Sequence, residues 1–245
     1  MSLSVLILAA GKGSRMQSQY PKVLHDVGNV PMIYYPITLA KNIKAQRIGV
    51  VVGKNSSQTK KCVKSFSAET EIVEQSKQLG TGHAVLCAKT KFASQPGDLL
   101  ILYGDCPLIS YESIKKLSQL RENGADLAVL GFHATNPKSY GRLIVDTAGN
   151  LEKIVEASDT TKEEQAITFC NSGVMMGDAN LFFSFLDKVS NQNASGEFYL
   201  TELVTLVRRK NMVVKTAICP EHEAHGINDR SDLAKAEKYF QNFKR

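Results

Sequence analysis

Three short apolar runs without strict alternation, Val5–Ala10, Ile48–Val52 and Leu99–Tyr103, are each followed by a Gly-containing turn. A strand covered on both faces needs apolar residues at successive positions, so these runs read as buried parallel strands. Helical spacing fills the intervals at Met32–Ile43, Ser56–Phe66 and Ala84–Lys89, and returns at Ser110–Leu120, where Ser110 and Ser113 can cap the start. Strand and helix alternating in this way predict an α/β fold: a doubly wound, mainly parallel sheet with ligands at the carboxyl ends of its strands. Beyond residue 124 the pattern becomes more mixed. Leu127–Phe132 reads as a strand, and Arg142–Val145 and Leu151–Val155 as a hairpin about the turn Thr147-Ala148-Gly149-Asn150. Val174–Met176 reads as a short strand, Ala179–Val189 and Tyr199–Arg209 as amphipathic helices, Val213–Ala217 as a strand and Leu233–Phe240 as a closing helix. No linker rich in Pro, Gly or Ser divides the chain, so one domain over residues 1–245 is expected.

Composition narrows the class. A chain of 245 residues, 43% hydrophobic and 22% charged, has the make-up of an ordinary globular domain and needs no disulfide or structural metal to bury a core. Its longest apolar run, Val5–Ala10, falls far short of the ~20 residues of a membrane span. Met1-Ser2-Leu3-Ser4 carries no basic segment ahead of that run, so no secretory signal and a cytoplasmic location are expected. Five cysteines (Cys62, Cys87, Cys106, Cys170, Cys219) at irregular spacing, with no C-x-x-C pair, suit reduced thiols. Glu221-His222-Glu223-Ala224-His225 lacks the H-E-x-x-H order of zinc sites and reads as a polar loop.

Net charge is +6, and no acidic residue lies between Asp26 and Glu69 while Lys41, Lys44, Arg47, Lys54, Lys60, Lys61 and Lys64 do. Such a stretch can bind nucleic acid. Here the lysines flank apolar runs at the spacing of solvated helix faces, without interleaved aromatic residues, and no nucleic-acid partner is expected.

The candidate chemistry sits at strand ends. After the first strand comes Leu8-Ala9-Ala10-Gly11-Lys12-Gly13-Ser14-Arg15-Met16. Small residues there let backbone N–H groups approach a phosphate chain, and Arg15 adds a fork of donors. The string is neither a P-loop nor the dinucleotide fingerprint, whose third small residue would fall at Met16. Pro21 fixes the chain direction ahead of Lys22, which can reach an anion, although a Gly-rich turn with surface cations would look the same. Asp105, in Gly104-Asp105-Cys106-Pro107-Leu108, either caps a turn or holds Mg²⁺ against phosphates; a phosphate loop on another strand favours the metal. Gln75 can pair with a base edge or lie on the surface, and Gln78-Leu79-Gly80-Thr81-Gly82-His83-Ala84 offers amides and backbone donors just before a helix.

The blocks L-A-A-G-K-G-S-R-M, P-K-V-L, Q-L-G-T-G-H-A, Y-G-D-C-P-L, Y-G-R, I-V-E, N-S-G, G-E-F-Y-L-T-E and G-I-N-D-R occur in that order. In order and spacing the chain resembles the sugar nucleotidyltransferases, and more narrowly the N-terminal uridyltransferase half of bacterial bifunctional N-acetylglucosamine-1-phosphate uridyltransferases. The resemblance implies the Rossmann-like nucleotide-diphospho-sugar transferase fold. Its first 124 residues or so would bind nucleotide, about 125–228 would bind sugar, and 229–245 would form a C-terminal helix. It implies that UTP and N-acetylglucosamine-1-phosphate give UDP-N-acetylglucosamine and pyrophosphate, with Mg²⁺ as cofactor. A monomer or weak dimer is expected, although the sequence itself does not give the oligomeric state. Leu8, Ala9, Ala10 and Gly11 would line the nucleotide, and Gln75, Gly80 and Thr81 would meet uracil and its surroundings. Arg15 and Lys22 would neutralise phosphates, and Tyr103 and Gly104 would shape the crevice beside Asp105. Asp105 and Asn228 would hold the metal. Gly141, Glu156 and Asn171 match sugar contacts, and Tyr199 and Thr201 border the sugar.

Ser14 for Thr, Cys106 for a small apolar residue, Ser172 for Thr and Asp229 for Asn are mild departures from the family pattern. The family's C-terminal half, a left-handed β-helix of hexapeptide repeats, has no counterpart in these 245 residues, so its acetyltransferase activity and trimer contacts are not expected of them. Another sugar phosphate or nucleotide, or a non-catalytic nucleotide- or RNA-binding relative, remain alternatives; a dinucleotide oxidoreductase is disfavoured by Met16.

Overall fold

Alternate residues of the first strand, β1 (Leu3–Ala9), enter different apolar clusters: Val5 and Ile7 join one, Leu6 and Leu8 the other. Burial on both faces is the reason the run shows no alternation. The computed structural model describes residues 2–94, 96–137 and 139–243, with side chains as far as Phe240. After β1 the chain forms a small ribbon, β2 (Asp26–Val27) and β3 (Val30–Pro31), then α1 (Tyr34–Asn42), β4 (Arg47–Gly53), α2 (Ser57–Phe66) and β5 (Glu71–Gln75). Next come α3 (Thr81–Leu86), α4 (Lys89–Phe92), β6 (Asp98–Tyr103), α5 (Tyr111–Glu122) and β7 (Leu127–His133). The remainder is β8 (Arg142–Val145), β9 (Leu151–Val155), α6 (Lys162–Gln165), β10 (Phe169–Asp178), α7 (Ala179–Leu186), α8 (Glu202–Arg208), β11 (Val214–Ile218) and α9 (Arg230–Phe243).

The main sheet has the order β11-β7-β10-β6-β1-β4-β5, with β8 added to β10 and β9 to β8. Six of the seven strands in that path run the same way, and β10 is antiparallel to both its neighbours. The sheet is therefore doubly wound, mixed and mainly parallel within a single domain. Helices α1, α2 and α5 supply Ile37, Val63 and Leu117 to one face, while α3, α7 and α8 supply Val85, Phe182 and Leu203 to the other. β4 lies on one side of β1 and β6 on the other, which makes the gap beyond their carboxyl ends a topological switch point, where open α/β sheets bind ligands.

Several expected boundaries move, each for a local reason. Tyr199–Arg209 is helical only from Glu202, because the backbone just before it is engaged: Phe198 N–H donates to Leu79 O at 2.8 Å, and Leu200 N–H to Thr81 Oγ1 at 3.0 Å. The helix expected at Ala84 starts at Thr81 and stops at Leu86 before a separate turn of helix at Lys89. Val174–Met176 is the centre of a ten-residue strand whose register shifts between Asn171 and Met175, where Gly173 takes φ +88°. β5 has no signal in the sequence, since Glu71-Ile72-Val73-Glu74-Gln75 offers only two apolar residues; it pairs at the sheet edge with β4. Ser110 caps α5 as expected, accepting from Ser113 N–H at 3.1 Å, whereas Ser113 turns its hydroxyl to the buried carboxylate of Glu223. Met1, Lys244 and Arg245, which the expected domain and its closing helix include, lie outside the described residues.

Candidate active site

Hydrophobic anchoring sets the cations in place. In the short helical turn Ser14–Met16, Met16 is buried and Arg15 is left outward; in Lys22–Leu24, Val23 and Leu24 are buried and hold Lys22 beside the end of β6. Gly13 has φ +63°, and a Cβ there would come 2.6 Å from Lys22 Cβ, so a glycine is required where the first loop crosses the Lys22 stem. Gly104 is similarly enclosed, with Ala9, Ile33 and Val23 each 3.1 Å from where a Cβ would stand. Asp105 follows it directly.

Three distant parts of the chain meet at Asp105. Its carbonyl accepts from Ile227 N–H at 2.8 Å, tying the 226–228 loop to the end of β6. The Lys22 ammonium pairs closely with Asp105 Oδ2 and donates to Asn228 Oδ1 at 3.1 Å, while Arg15 Nη2 donates to that same oxygen at 3.0 Å. Asn228 Nδ2 donates to Gly226 O at 3.1 Å, which fixes the amide so that Oδ1 faces the cations. The Lys22 and Asp105 side chains are only 12% and 17% exposed, so this pairing works in a medium less polar than water.

The residues expected on the nucleotide side surround a cavity of about 410 Å³ between the strand ends. Leu8, Ala9, Ala10 and Gly11 line it from β1, Tyr103 and Asp105 from β6, and Gln75, Gly80 and Thr81 from β5 and α3, with Lys22 at the side. Gly11 has open space where a Cβ would be, so its backbone is approachable. Gly80 has φ +112°, and a Cβ there would lie 2.6 Å from Phe198 O, because the loop before α3 is pressed onto the backbone of Phe198. Gly80→Ala is expected to destabilise the chain by about 1–3 kcal/mol, measured by urea unfolding.

Not every expected site residue reaches this cavity. Arg15 and Asn228 stand behind Lys22, and Gly104 is packed in the core below Asp105. Gly141, Glu156, Asn171 and Thr201 form a separate cluster. Thr201 Oγ1 donates to Glu156 Oε1 at 2.8 Å, a Cβ on Gly141 would be 3.4 Å from Glu156 Oε2, and Asn171 N–H donates to Gly141 O at 2.8 Å. The Tyr103 ring joins cluster to cavity, because it packs against Gly173, two residues after Asn171. Tyr199 is near the loop through its backbone, 3.3 Å from the Cβ position of Gly82. Burial pushes the Glu156 carboxyl above its usual range; Asp159 and Glu197 add to the rise and the Thr201 hydroxyl opposes it. Burial, Glu156 and Asp105 likewise raise the Tyr103 phenol, which stays protonated and able to donate.

Lys12, Val23 and Glu197, which the sequence gives no site role, also line the cavity, as do Gln78 and Ala84 at the two ends of the stretch expected to offer amides and backbone donors. Gln78 donates from Nε2 to Ala10 O, bridging the two loops. Lys12, Gln78 and Glu197 fall within three of the quoted blocks, and that placement was the available signal.

The donor set suits Mg²⁺. One carboxylate oxygen and one amide oxygen already converge on a single cation, the Lys22 ammonium, and Mg²⁺ takes few protein oxygens and fills the rest of its octahedron with substrate phosphates and water.

Residues 5–167 match the family model of the MobA-like NTP transferase domain. The "Bifunctional protein GlmU" of Ruegeria sp. strain TM1040 is 46% identical over 241 residues, covering 98% of this chain and 53% of its own. The protein of that name from Cereibacter sphaeroides is 44% identical, covering 98% of this chain and 52% of its own. The chain thus spans about half the length of the curated relatives it matches. Among solved structures, a UDP-glucose pyrophosphorylase complexed with UDP-glucose superposes with a TM-score of 0.82 at 17% identity, covering 100% of both chains, a likeness of fold.

Proposed function

Because the chain belongs to the family of MobA-like NTP transferase domains, we propose that it is a sugar-1-phosphate nucleotidyltransferase. It converts UTP and N-acetylglucosamine-1-phosphate to UDP-N-acetylglucosamine and pyrophosphate. The reading is carried by one observation: Lys22 meets Asp105 and Asn228 at the side of a cavity between the ends of β1 and β6. The choice of sugar and nucleotide rests on the resemblance carried by the blocks Q-L-G-T-G-H-A and G-E-F-Y-L-T-E.

A phosphate oxygen of the sugar phosphate attacks the α-phosphorus of UTP in line. The new O–P bond forms as the bond to the bridging oxygen breaks, and pyrophosphate leaves with the electron pair. A phosphate monoester has a second pKa of about 6, so the nucleophile is ionised at pH 7 and no general base is needed. The enzyme's work is to align two polyanions and offset their charge. Arg15 and Lys22 neutralise the phosphates, while Asp105 and Asn228 would hold Mg²⁺. When bound, the ion withdraws charge from phosphoryl oxygens as a Lewis acid. Residues up to about 124 serve the nucleotide and about 125–228 the sugar, and the helix α9 (Arg230–Phe243) follows them. Gly141, Glu156, Asn171, Tyr199 and Thr201 receive the sugar, with Tyr103 between the two substrates. Five free cysteines, three of them buried, suit a reducing cytoplasm.

Pyrophosphate release from UTP and Mg²⁺ with a panel of sugar-1-phosphates tests the assignment. Turnover confined to another sugar or another nucleotide overturns it. Gln75→Ala is expected to lower the kcat/KM preference for UTP over CTP by roughly tenfold or more. Unchanged preference would mean that the base is read elsewhere.

A further inference from the structure

Gln75 ends β5 with 4% of its surface exposed, and both amide hydrogens are engaged. Its Nε2 lies 3.0 Å from Gly80 O and 3.0 Å from His83 Nδ1. A backbone carbonyl only accepts, so the group beside Gly80 O is the NH₂; the opposite orientation would set two oxygens against each other. The second N–H then needs an acceptor at His83 Nδ1, which a neutral imidazole with its proton on Nε2 provides. Burial lowers the His83 pKa from its usual 6.5, keeping the ring neutral at pH 7. Cys87 Sγ lies 3.9 Å from Nδ1 and 4.0 Å from Nε2, so the sulfur favours neither nitrogen and the tautomer is set by Gln75. What remains of the amide is Oε1: the hydrogen bonds of Gln75 among the described residues both run through Nε2, and the side chain lines the cavity.

We propose that His83 is a positioning residue for base selection: by accepting the second amide hydrogen of Gln75, it holds Oε1 toward the cavity as an acceptor. An acceptor there favours a pyrimidine that offers an N3–H, as uracil does, over cytosine, whose N3 presents a lone pair. The inference rests on the reading that Gln75 meets the base. Without Nδ1, Gln75 keeps only its bond to Gly80 O, and the amide turns more readily to offer NH₂ to cytosine. One hydrogen bond of this kind corresponds to a change of about tenfold in preference.

The test compares kcat/KM for UTP and CTP in the parent protein, His83→Leu, His83→Asn and Gln75→Ala. His83→Leu should lower the UTP:CTP ratio about tenfold, mostly through KM for UTP. His83→Asn, whose Oδ1 can accept near the position of Nδ1, should recover most of it. A purely structural role would lower thermal stability in both histidine variants without moving the ratio. If Gln75→Ala loses discrimination while His83→Leu keeps it, or if the Leu and Asn variants lose it equally, the positioning role is wrong. If Gln75→Ala keeps discrimination, the base reading itself fails and takes this inference with it. Should His83→Leu not fold, the ¹⁵N spectrum of the imidazole in the intact chain decides: a proton on Nε2 and none on Nδ1 supports the role, and a proton on Nδ1 overturns it.

Discussion

Asp105→Asn is expected to cut Mg²⁺-dependent pyrophosphate release by on the order of 10³ or more while the chain remains folded. The two effects separate because the carboxylate does different things with and without substrate. A metal Lewis acid supplies several kcal/mol of charge stabilisation, and each 1.36 kcal/mol is a factor of ten in rate. An amide oxygen in place of Asp105 keeps the shape but removes the only full negative charge of the pair it forms with Asn228. For the free protein the loss is smaller. Lys22 loses its ion-pair partner yet retains Asn228 Oδ1 at 3.1 Å, and some water reaches a pair whose side chains are 12% and 17% exposed. The cost should be roughly 1–3 kcal/mol, below the ~3–5 of a fully buried pair and within an ordinary total of ~5–15. Pyrophosphate assays across a Mg²⁺ titration, run beside urea unfolding, check both halves. A variant that is folded and fully active sinks the metal role.

The parts of this fold that could be read from the sequence are those in which local and tertiary demands coincide. β1, β4, β6 and β7 have apolar residues on both faces, and their runs needed no partner to be recognised. β5 carries Glu71 and Glu74 because it is an edge, and its strand character comes from pairing with β4. The start of α8 lies later than its pattern predicts because Tyr199 to Thr201 have helical spacing, while the bonds that hold Phe198 to Leu79 and Leu200 to Thr81 span more than a hundred residues, 119 for Leu200 and Thr81. The candidate site divides in the same way. Asp105 and the first loop announce themselves by their place after buried strands. Asn228 does not: it sits in a loop well past the end of β11, and it reaches Lys22 through long-range contacts, the bond from Ile227 N–H to Asp105 O and the burial of Ile227 against Val27 and Met32. Its expected role came from the motif G-I-N-D-R alone. His83 had no signal beyond its block, since its effect is exerted through Gln75.

Lys22→Ala is expected to lower kcat/KM for UTP by about 10²–10³, the scale on which removal of one preorganised donor acts. The geometry adds a second, less obvious expectation. In the free protein the Lys22 ammonium holds both oxygens assigned to the metal, so lysine and Mg²⁺ compete for Asp105 and Asn228. For both to serve a triphosphate, the ammonium must leave Asp105 and turn to phosphate. Removing it should therefore slow turnover while leaving the Mg²⁺ concentration for half-maximal activity unchanged or lower. Were Lys22 only a counterion that steadies Asp105, its loss would instead reduce stability, scatter the carboxylate and raise the Mg²⁺ requirement with little change in rate at saturation. Lys22→Arg separates charge from shape: it keeps a cation, but a planar fork on a differently shaped stem cannot occupy the compact position between two oxygens beside Gly13. Recovery of less than about a tenth of the lost rate in the arginine variant would place the effect in the point geometry of the ammonium. Full recovery would mean that any positive charge in the crevice suffices.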